Sequence, residues 1–246
     1  MDRSIFVATS GAQQIELALA ANAHNLANIS TPGFRAELSA FNPVQFSGAG
    51  FDTRVFPQIA DAGVDLSAGA FNETGRDLDV AVDADGYIAV EGRDGSEGYT
   101  RRGDLHIAAD GRLLTGDGFP VLGNGGAIAI PPAENIQIGA DGTISVRPLG
   151  AEAAALAVVD RIRLVRLDPN AVRKDADGLL RPSGDGGAVP DARLRLVSGV
   201  LESSNVNGVD ALVRLIALSR TFEAQVKLMH DVAENDAASA ELMQLS

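Results

Sequence analysis

A chain of 246 residues with 46% hydrophobic content is long enough to bury a sizeable core and too apolar to stay disordered. Its net charge of −13 argues against a nucleic-acid surface, and the absence of cysteine excludes disulfides, a thiolate nucleophile and cysteine-ligated zinc. With 27 glycines, no tryptophan and 4% aromatics, the composition suits hairpin turns and small-residue helix packing more than a ligand-cradling enzyme core.

The spacing predicts a first helix from Ser4 to Asn28. Ile5, Ala8, Ala12, Ile15, Leu19, Asn22 and Leu26 follow one another at steps of three and four, the 3.5-residue period of a coiled-coil seam. About 25 residues of helix would be roughly 37 Å long. Its surface is alanine-rich and lacks a charged outer face, so burial on several sides is expected. Gln13, Gln14 and Glu16 interrupt the short apolar start, which makes a poor secretory signal.

The helix runs into Asn25-Leu26-Ala27-Asn28-Ile29-Ser30-Thr31-Pro32-Gly33-Phe34. The proline biases Thr31 away from the α region and Pro-Gly is a strong turn pair, so the helix stops here. Asn25 and Asn28 sit three apart on the last turn, on one face, where both can bond to backbone.

Residues 35–75 lack sustained periodicity and read as an extended connecting arm with short strands, anchored by Phe41, Phe46, Phe51, Phe56 and Phe71. Residues 76–201 read as an all-β domain. Asp-Gly recurs at 85–86, 94–95, 110–111, 117–118, 141–142, 177–178 and 185–186 between short apolar runs, which predicts type I′ hairpins. Strands are expected at 105–108, 112–115, 127–130, 136–138, 143–147, 156–167 and 193–198. Residues 202–207 then offer polar caps for a long C-terminal helix. Its seam runs through Val209, Leu212, Ile216, Ser219, Phe222, Val226 and Met229, and about 38 residues of helix would reach roughly 57 Å.

The chemistry-bearing residues do not assemble into a site. Asp77, Asp79, Asp83 and Asp85 hold a fragment of a calcium loop, but the plainer reading is a solvated strand face followed by its turn. His24, His106 and His230 have no metal-ligand spacing, and neither a nucleophile elbow nor a phosphate loop is present. Arg101 and Arg102 read as ordinary surface charge, with pairing to a neighbouring subunit as the alternative. No cofactor, metal or catalytic residue is assigned.

The opening motif, Asn-Leu-Ala-Asn followed by Thr31-Pro32-Gly33-Phe34-Arg35, resembles the N-terminal signature of the bacterial flagellar axial proteins, the rod and hook proteins. Thr74-Gly75-Arg76-Asp77-Leu78-Asp79, Tyr99-Thr100-Arg101-Arg102-Gly103 and Thr115-Gly116-Asp117-Gly118-Phe119 are similar to the β-domain signatures of that family. Leu201-Glu202-Ser203-Ser204-Asn205-Val206-Asn207 is similar to its C-terminal motif. The wording is nearest to the proximal-rod members, with a distal-rod or hook-type protein as the alternative. The resemblance implies a non-enzymatic structural subunit of the basal-body rod, exported through the flagellar type III apparatus without a cleaved signal. It would self-assemble with proximal and distal rod proteins into a hollow, torque-transmitting shaft in the periplasm, using neither nucleic acid nor a small-molecule substrate. A secreted β-rich binding or carbohydrate-active protein is the reading from another class.

The expected architecture is α+β. The two chain ends, 1–34 and 202–246, form a discontinuous antiparallel helical coiled-coil domain, and a central all-β domain follows the arm. The expected assembly residues are Ile5, Ala12, Ile15, Leu19, Asn25, Leu26, Asn28, Thr31, Gly33, Phe34, Asn205, Val209, Leu212, Ile216, Phe222, Val226 and Met229.

Overall fold

The computed structural model describes residues 4–45, 55–83, 85–148, 150, 156–184 and 188–244. They fall into two compact units. The first comprises Met1–Asn28, Glu37–Gly63 and Val206–Ser246, the second Ile29–Ala36 and Val64–Asn205.

The second unit is β throughout. Its largest sheet has six strands in the order Val172–Lys174, Leu180–Pro182, Glu97–Thr100, Gly86–Glu91, Leu164–Arg166 and Val189–Pro190. The strand Gly86–Glu91 explains why Tyr-Ile-Ala-Val reads as a continuous apolar run. Successive side chains point to opposite faces, and here both faces are covered. Ile88 and Val90 enter a core with Val80, Leu105, Leu113, Ile144 and Leu196, while Tyr87 and Ala89 enter another with Tyr99, Val165 and Leu180. Each fully buried Ile, Val or Leu contributes roughly 1.5–3 kcal/mol. Ala133–Ile138, Thr143–Pro148 and Ala157–Arg161 make a second, three-stranded sheet in which Ile144 and Val146 alternate inward.

Two β expectations are corrected. The run 156–167 is not one strand: Ala157–Arg161 pairs with Thr143–Val146, whereas Leu164–Arg166 pairs with Gly86–Ile88 in the other sheet. The Asp-Gly turns are also of another type. At Gly95, Gly111, Gly118, Gly142 and Gly178 the glycine has positive φ and donates its N–H to the carbonyl three residues back. The residue that accepts this bond donates its own N–H to the carbonyl four residues on, as Ala108 does to Arg112. That is the three-residue loop of a type I turn followed by a left-handed residue, which needs positive φ only at glycine. Gly86 instead starts a strand, and Asp185-Gly186 lies outside the described residues.

The first unit holds helix α1 (Ser4–Ala27), helix α2 (Gly208–Gln244), and a two-stranded sheet of β1 (Glu37–Gln45) and β2 (Val55–Val64). No described helix is long and apolar enough to cross a membrane. The expected coiled-coil domain is overturned. The helices touch antiparallel, with Asn22 Nδ2 donating to the Ala211 carbonyl at 2.8 Å and Thr9 Oγ1 to Met229 Sδ at 3.5 Å. A coiled coil needs knobs buried from both helices. On α1 a stripe of Ala8, Ala12, Ile15, Ala18, Asn22 and Asn25 is buried, but on α2 Ala211 is the one fully buried side chain among the described residues. Val209, Leu212, Ile216 and Val226, the expected seam, are 71%, 49%, 55% and 45% exposed. The unit also contains a sheet, so the terminal region is not purely helical, and strands far outnumber helices among the described residues.

Phe46 and Phe51, and the side chains of Phe41 and Phe56, lie outside the described residues. Phe71 is exposed.

Candidate functional site

The stretch from Asn25 to Arg35 organises two hydrogen-bond networks, one in each unit. In the first unit α1 ends at Ala27, five residues before Pro32, and Asn25 uses that end to hold a strand. Its Nδ2 donates to the Glu37 carbonyl at 2.8 Å, and its Oδ1 accepts the Glu37 N–H at 2.8 Å. A side-chain amide carries one donor edge and one acceptor, so it serves here as a surrogate strand partner. Asn28 Nδ2 donates to the His24 carbonyl at 2.9 Å, which also accepts the Asn28 backbone N–H at 3.2 Å. His24 Nδ1 lies 3.0 Å from Glu37 Oε1.

In the second unit the turn Ile29–Ala36 is centred on Glu202. The Phe34 N–H donates to the Thr31 carbonyl at 3.3 Å, and Gly33 has φ +67°. The Gly33 N–H donates to the Glu202 carbonyl at 2.8 Å, and a Cβ on Gly33 would stand 2.3 Å from the Arg101 carbonyl carbon. Only glycine satisfies both the dihedral and the clearance.

Around the Glu202 carboxylate three segments meet. Arg35 Nη2 donates to Oε1 at 2.7 Å, the Gly69 N–H donates to the same oxygen at 2.8 Å, and Arg101 Nη1 reaches Oε2 at 3.2 Å. The three side chains are 3%, 2% and 0% exposed for Arg35, Arg101 and Glu202. Arg35 Nη1 also donates to the Ser67 carbonyl at 2.6 Å, and Arg101 Nη1 to the Val82 carbonyl at 2.7 Å, with its guanidinium 4.9 Å from the Tyr87 ring centroid. Two cations share one anion. Burial pushes the Arg101 guanidinium below its ordinary value, Glu202 pulls it back, and the neighbouring Arg35 adds to the push. Asn205 completes the turn's docking. Its Oδ1 accepts the Ala36 N–H at 2.8 Å, and its Nδ2 donates to the carbonyls of Asp65 and Ser67 at 2.8 and 3.1 Å. Lys174 Nζ stands 3.9 Å from the Phe34 ring centroid and donates to the Arg35 carbonyl.

Of the expected assembly residues, Asn25 and Asn28 join the first network, and Thr31, Gly33, Phe34 and Asn205 the second. Ala12 and Ile15 are buried in α1, while Leu19 and Leu26 are half-buried. The side chain of Ile5 lies outside the described residues. Phe222 and Met229 are half-buried on α2, and Val209, Leu212, Ile216 and Val226 stand in solvent.

Arg35, Arg101 and Glu202 were not among the expected residues. Arg101 is not ordinary surface charge, and Glu202 is not a helix cap. Asn207 fills that role, its Oδ1 accepting the Val209 N–H at 3.0 Å. Asp79 also departs from the solvated-face reading. It is buried and accepts a bond from Thr74 Oγ1 at 2.8 Å. A groove of about 650 Å³ lies along Ile107, Ile130, Pro131, Pro132 and Ile136. Asp110 is its one ionisable lining residue, and that carboxylate is engaged by Arg112, whose side-chain and backbone bonds hold it below its ordinary value.

Residues 81–146 match the family described as the flagellar hook protein FlgE/F/G D1 domain, and residues 197–242 that described as the flagellar basal body rod FlgEFG protein C-terminal. The chain is 41% identical over 252 residues to the flagellar basal-body rod protein FlgF of Salmonella typhimurium, with 100% of both chains covered. It is 41% identical to FlgF of Escherichia coli, again with 100% of both chains covered. It is 30% identical to the flagellar basal-body rod protein FlgG of Bacillus subtilis, covering 93% of this chain and 94% of that one.

Proposed function

The chain belongs to the FlgE/F/G family of flagellar rod and hook proteins, and on that premise we propose that it is a structural subunit of the basal-body rod of the FlgF kind, placed in the proximal rod. The observation that carries this is 41% identity to FlgF over the full length of both chains. In this reading copies of the chain, together with other proximal and distal rod proteins, build a hollow helical shaft in the periplasm that transmits torque. The subunits leave the cytoplasm through the flagellar type III apparatus, and the protein catalyses nothing.

Two physical features support it. The β unit closes two cores of its own, so it needs no ligand or partner to complete its interior. Helix α2 keeps Val209, Leu212, Val213 and Ile216 in solvent at spacings of three, four and seven, a contiguous stripe that a monomer gains nothing by displaying. These residues, with Phe222, Val226 and Met229, are the proposed assembly contacts. Asn25, Asn28, Thr31, Gly33, Phe34 and Asn205 shape the chain around the turn and do not hold a ligand.

Deleting the encoding gene and isolating basal bodies tests the proposal. Loss of motility with rods arrested before completion is the expected result; cells that swim and carry complete basal bodies would sink it. A FlgG-type subunit is the second reading, favoured by the 30% identity to the Bacillus protein. Complementation separates the two: the chain should restore swimming to a strain lacking FlgF and not to one lacking FlgG.

A further inference from the structure

We propose that the Glu202 centre is a latch: it holds the turn Ile29–Ala36 on the β body of the second unit and can release it while that body stays folded. The latch lies wholly inside one unit and does not depend on what the terminal helices meet.

The turn is attached almost entirely by polar bonds. No residue from 29 to 36 belongs to either buried apolar cluster or to the partly buried side chains packed on them, among the described residues. Phe34, the one aromatic of the turn, lies against the Lys174 ammonium and is half-buried. What ties the turn down is the Gly33 N–H on the Glu202 carbonyl, the Arg35 guanidinium on its carboxylate and on the Ser67 carbonyl, Asn205 on the Ala36 N–H and the Phe34 carbonyl, the Asp65 N–H on the Ala36 carbonyl, and Lys174 on the Arg35 carbonyl. The β body is held by a different force, with Val80, Ile88, Val90, Leu105 and Leu113 all fully buried. Cooperative burial and a handful of polar bonds fail independently, which is the condition for local opening.

The charge balance adds a reason to open. With Arg35 engaged, two buried guanidiniums share one carboxylate. With Arg35 withdrawn, Arg101 and Glu202 remain as a matched pair, with Arg101 also bonded to the Val82 carbonyl. Arg35 Nε is buried and finds no acceptor among the described residues, so seating this side chain carries a cost that release recovers. Opening therefore frees Thr31-Pro32-Gly33-Phe34 and leaves behind a neutral pair.

Amide hydrogen exchange on the full-length chain tests this. In Arg35→Met, exchange at Gly33 and Ala36 should rise roughly ten- to a hundredfold, the loss of a charge-assisted bond. Exchange across Val80–Val90 should change less than about twofold, as expected for an independent opening. A parallel rise in both places, a rise in the body alone, or no rise in the turn would overturn the latch. The unmutated chain gives a second reading that survives if the variant fails to fold. In increasing urea, opening at Gly33 and Ala36 should depend on urea more weakly than opening of Val80–Val90, because less surface is exposed. Equal urea dependence would mean that the turn opens only with the whole unit, and would overturn the proposal.

Discussion

The two units spend their apolar residues in opposite ways. In the second unit Val80, Ile88, Val90, Leu105, Leu113, Ile144 and Val165 are sealed from solvent, and the strand Gly86–Glu91 is buried on both faces. In the first unit α2 is apolar at comparable density along one stripe, yet Val209, Leu212, Val213 and Ile216 remain about half or more exposed. A single exposed leucine means little, since folded surfaces are largely apolar anyway. A stripe at helical spacing is different, because its positions are apolar together without a core to require it. One unit closes its core within the chain. The other leaves its stripe in solvent.

If that contrast is right, the same chemical deletion should have opposite consequences in the two places. Leu105→Ala, in the sealed core, should cost about 2–5 kcal/mol in a denaturant titration. A value under about 1 kcal/mol would mean that the core is less closed than its burial indicates. Next in size, Gly33→Ala should cost about 2 kcal/mol or more, since it meets both an unfavourable φ and backbone of Arg101. Gly75→Ala has a similar φ of +69° but open space around it, and should cost only about 1 kcal/mol. Equal costs would remove the close approach as a distinct factor.

Ile216→Asp should shift the isolated chain by less than about 0.5 kcal/mol, as exposed sites do. Swimming in soft agar should nevertheless fall sharply. Normal motility would break the claim that the stripe is assembly surface. The smallest effect is on pH. Side-chain bonds from Ser96, Arg112 and Thr143, backed by backbone N–H groups, hold Asp94, Asp110 and Asp141 below their ordinary value. Such carboxylates stabilise the fold fully above the ordinary value of 3.8 and lose that contribution as pH falls through their lower folded values. All three belong to β turns, so acid titration below about pH 4 should weaken the second unit by a shallow increment. Asp141→Asn should flatten it, and an unchanged titration would count against these turns.

The legibility of the chain follows the range of the interactions. The Asp-Gly pairs, the alternation along strands and the Thr-Pro-Gly stop are local signals, and they agree with a central β domain and with a first helix that ends at Ala27. The turn class was misjudged because Asp-Gly fits both a two-residue and a three-residue loop, and only the backbone bonds decide. The break at Ile162-Arg163 was invisible because both sides are apolar enough to continue. The Ile162 N–H turns to the Gly142 carbonyl and the Arg163 N–H to that of Leu122, carrying the chain from one sheet to the next. The coiled coil was over-read from period alone. A 3.5-residue stripe of Ala and Leu marks a helix with one buried side, whatever covers it. Arg35, Arg101 and Glu202 carry no periodic signal at all. Their partners stand 101 and 167 positions apart, and three charged residues scattered over that distance look like surface until the fold closes on them.

The pairing of Asn25 with Glu37 has a consequence for the arm it starts. A planar amide accepts a strand residue only if that residue's N–H and C=O both point toward it, a condition met by every second residue. By choosing Glu37, Asn25 sets the phase of β1 at its first position, and a slip of one residue would turn every following side chain to the other face. Asn25→Asp would keep the shape and forfeit the choice, because a carboxylate has no donor for the Glu37 carbonyl. The last turn of a helix thus acts as the starting mark from which a strand is counted.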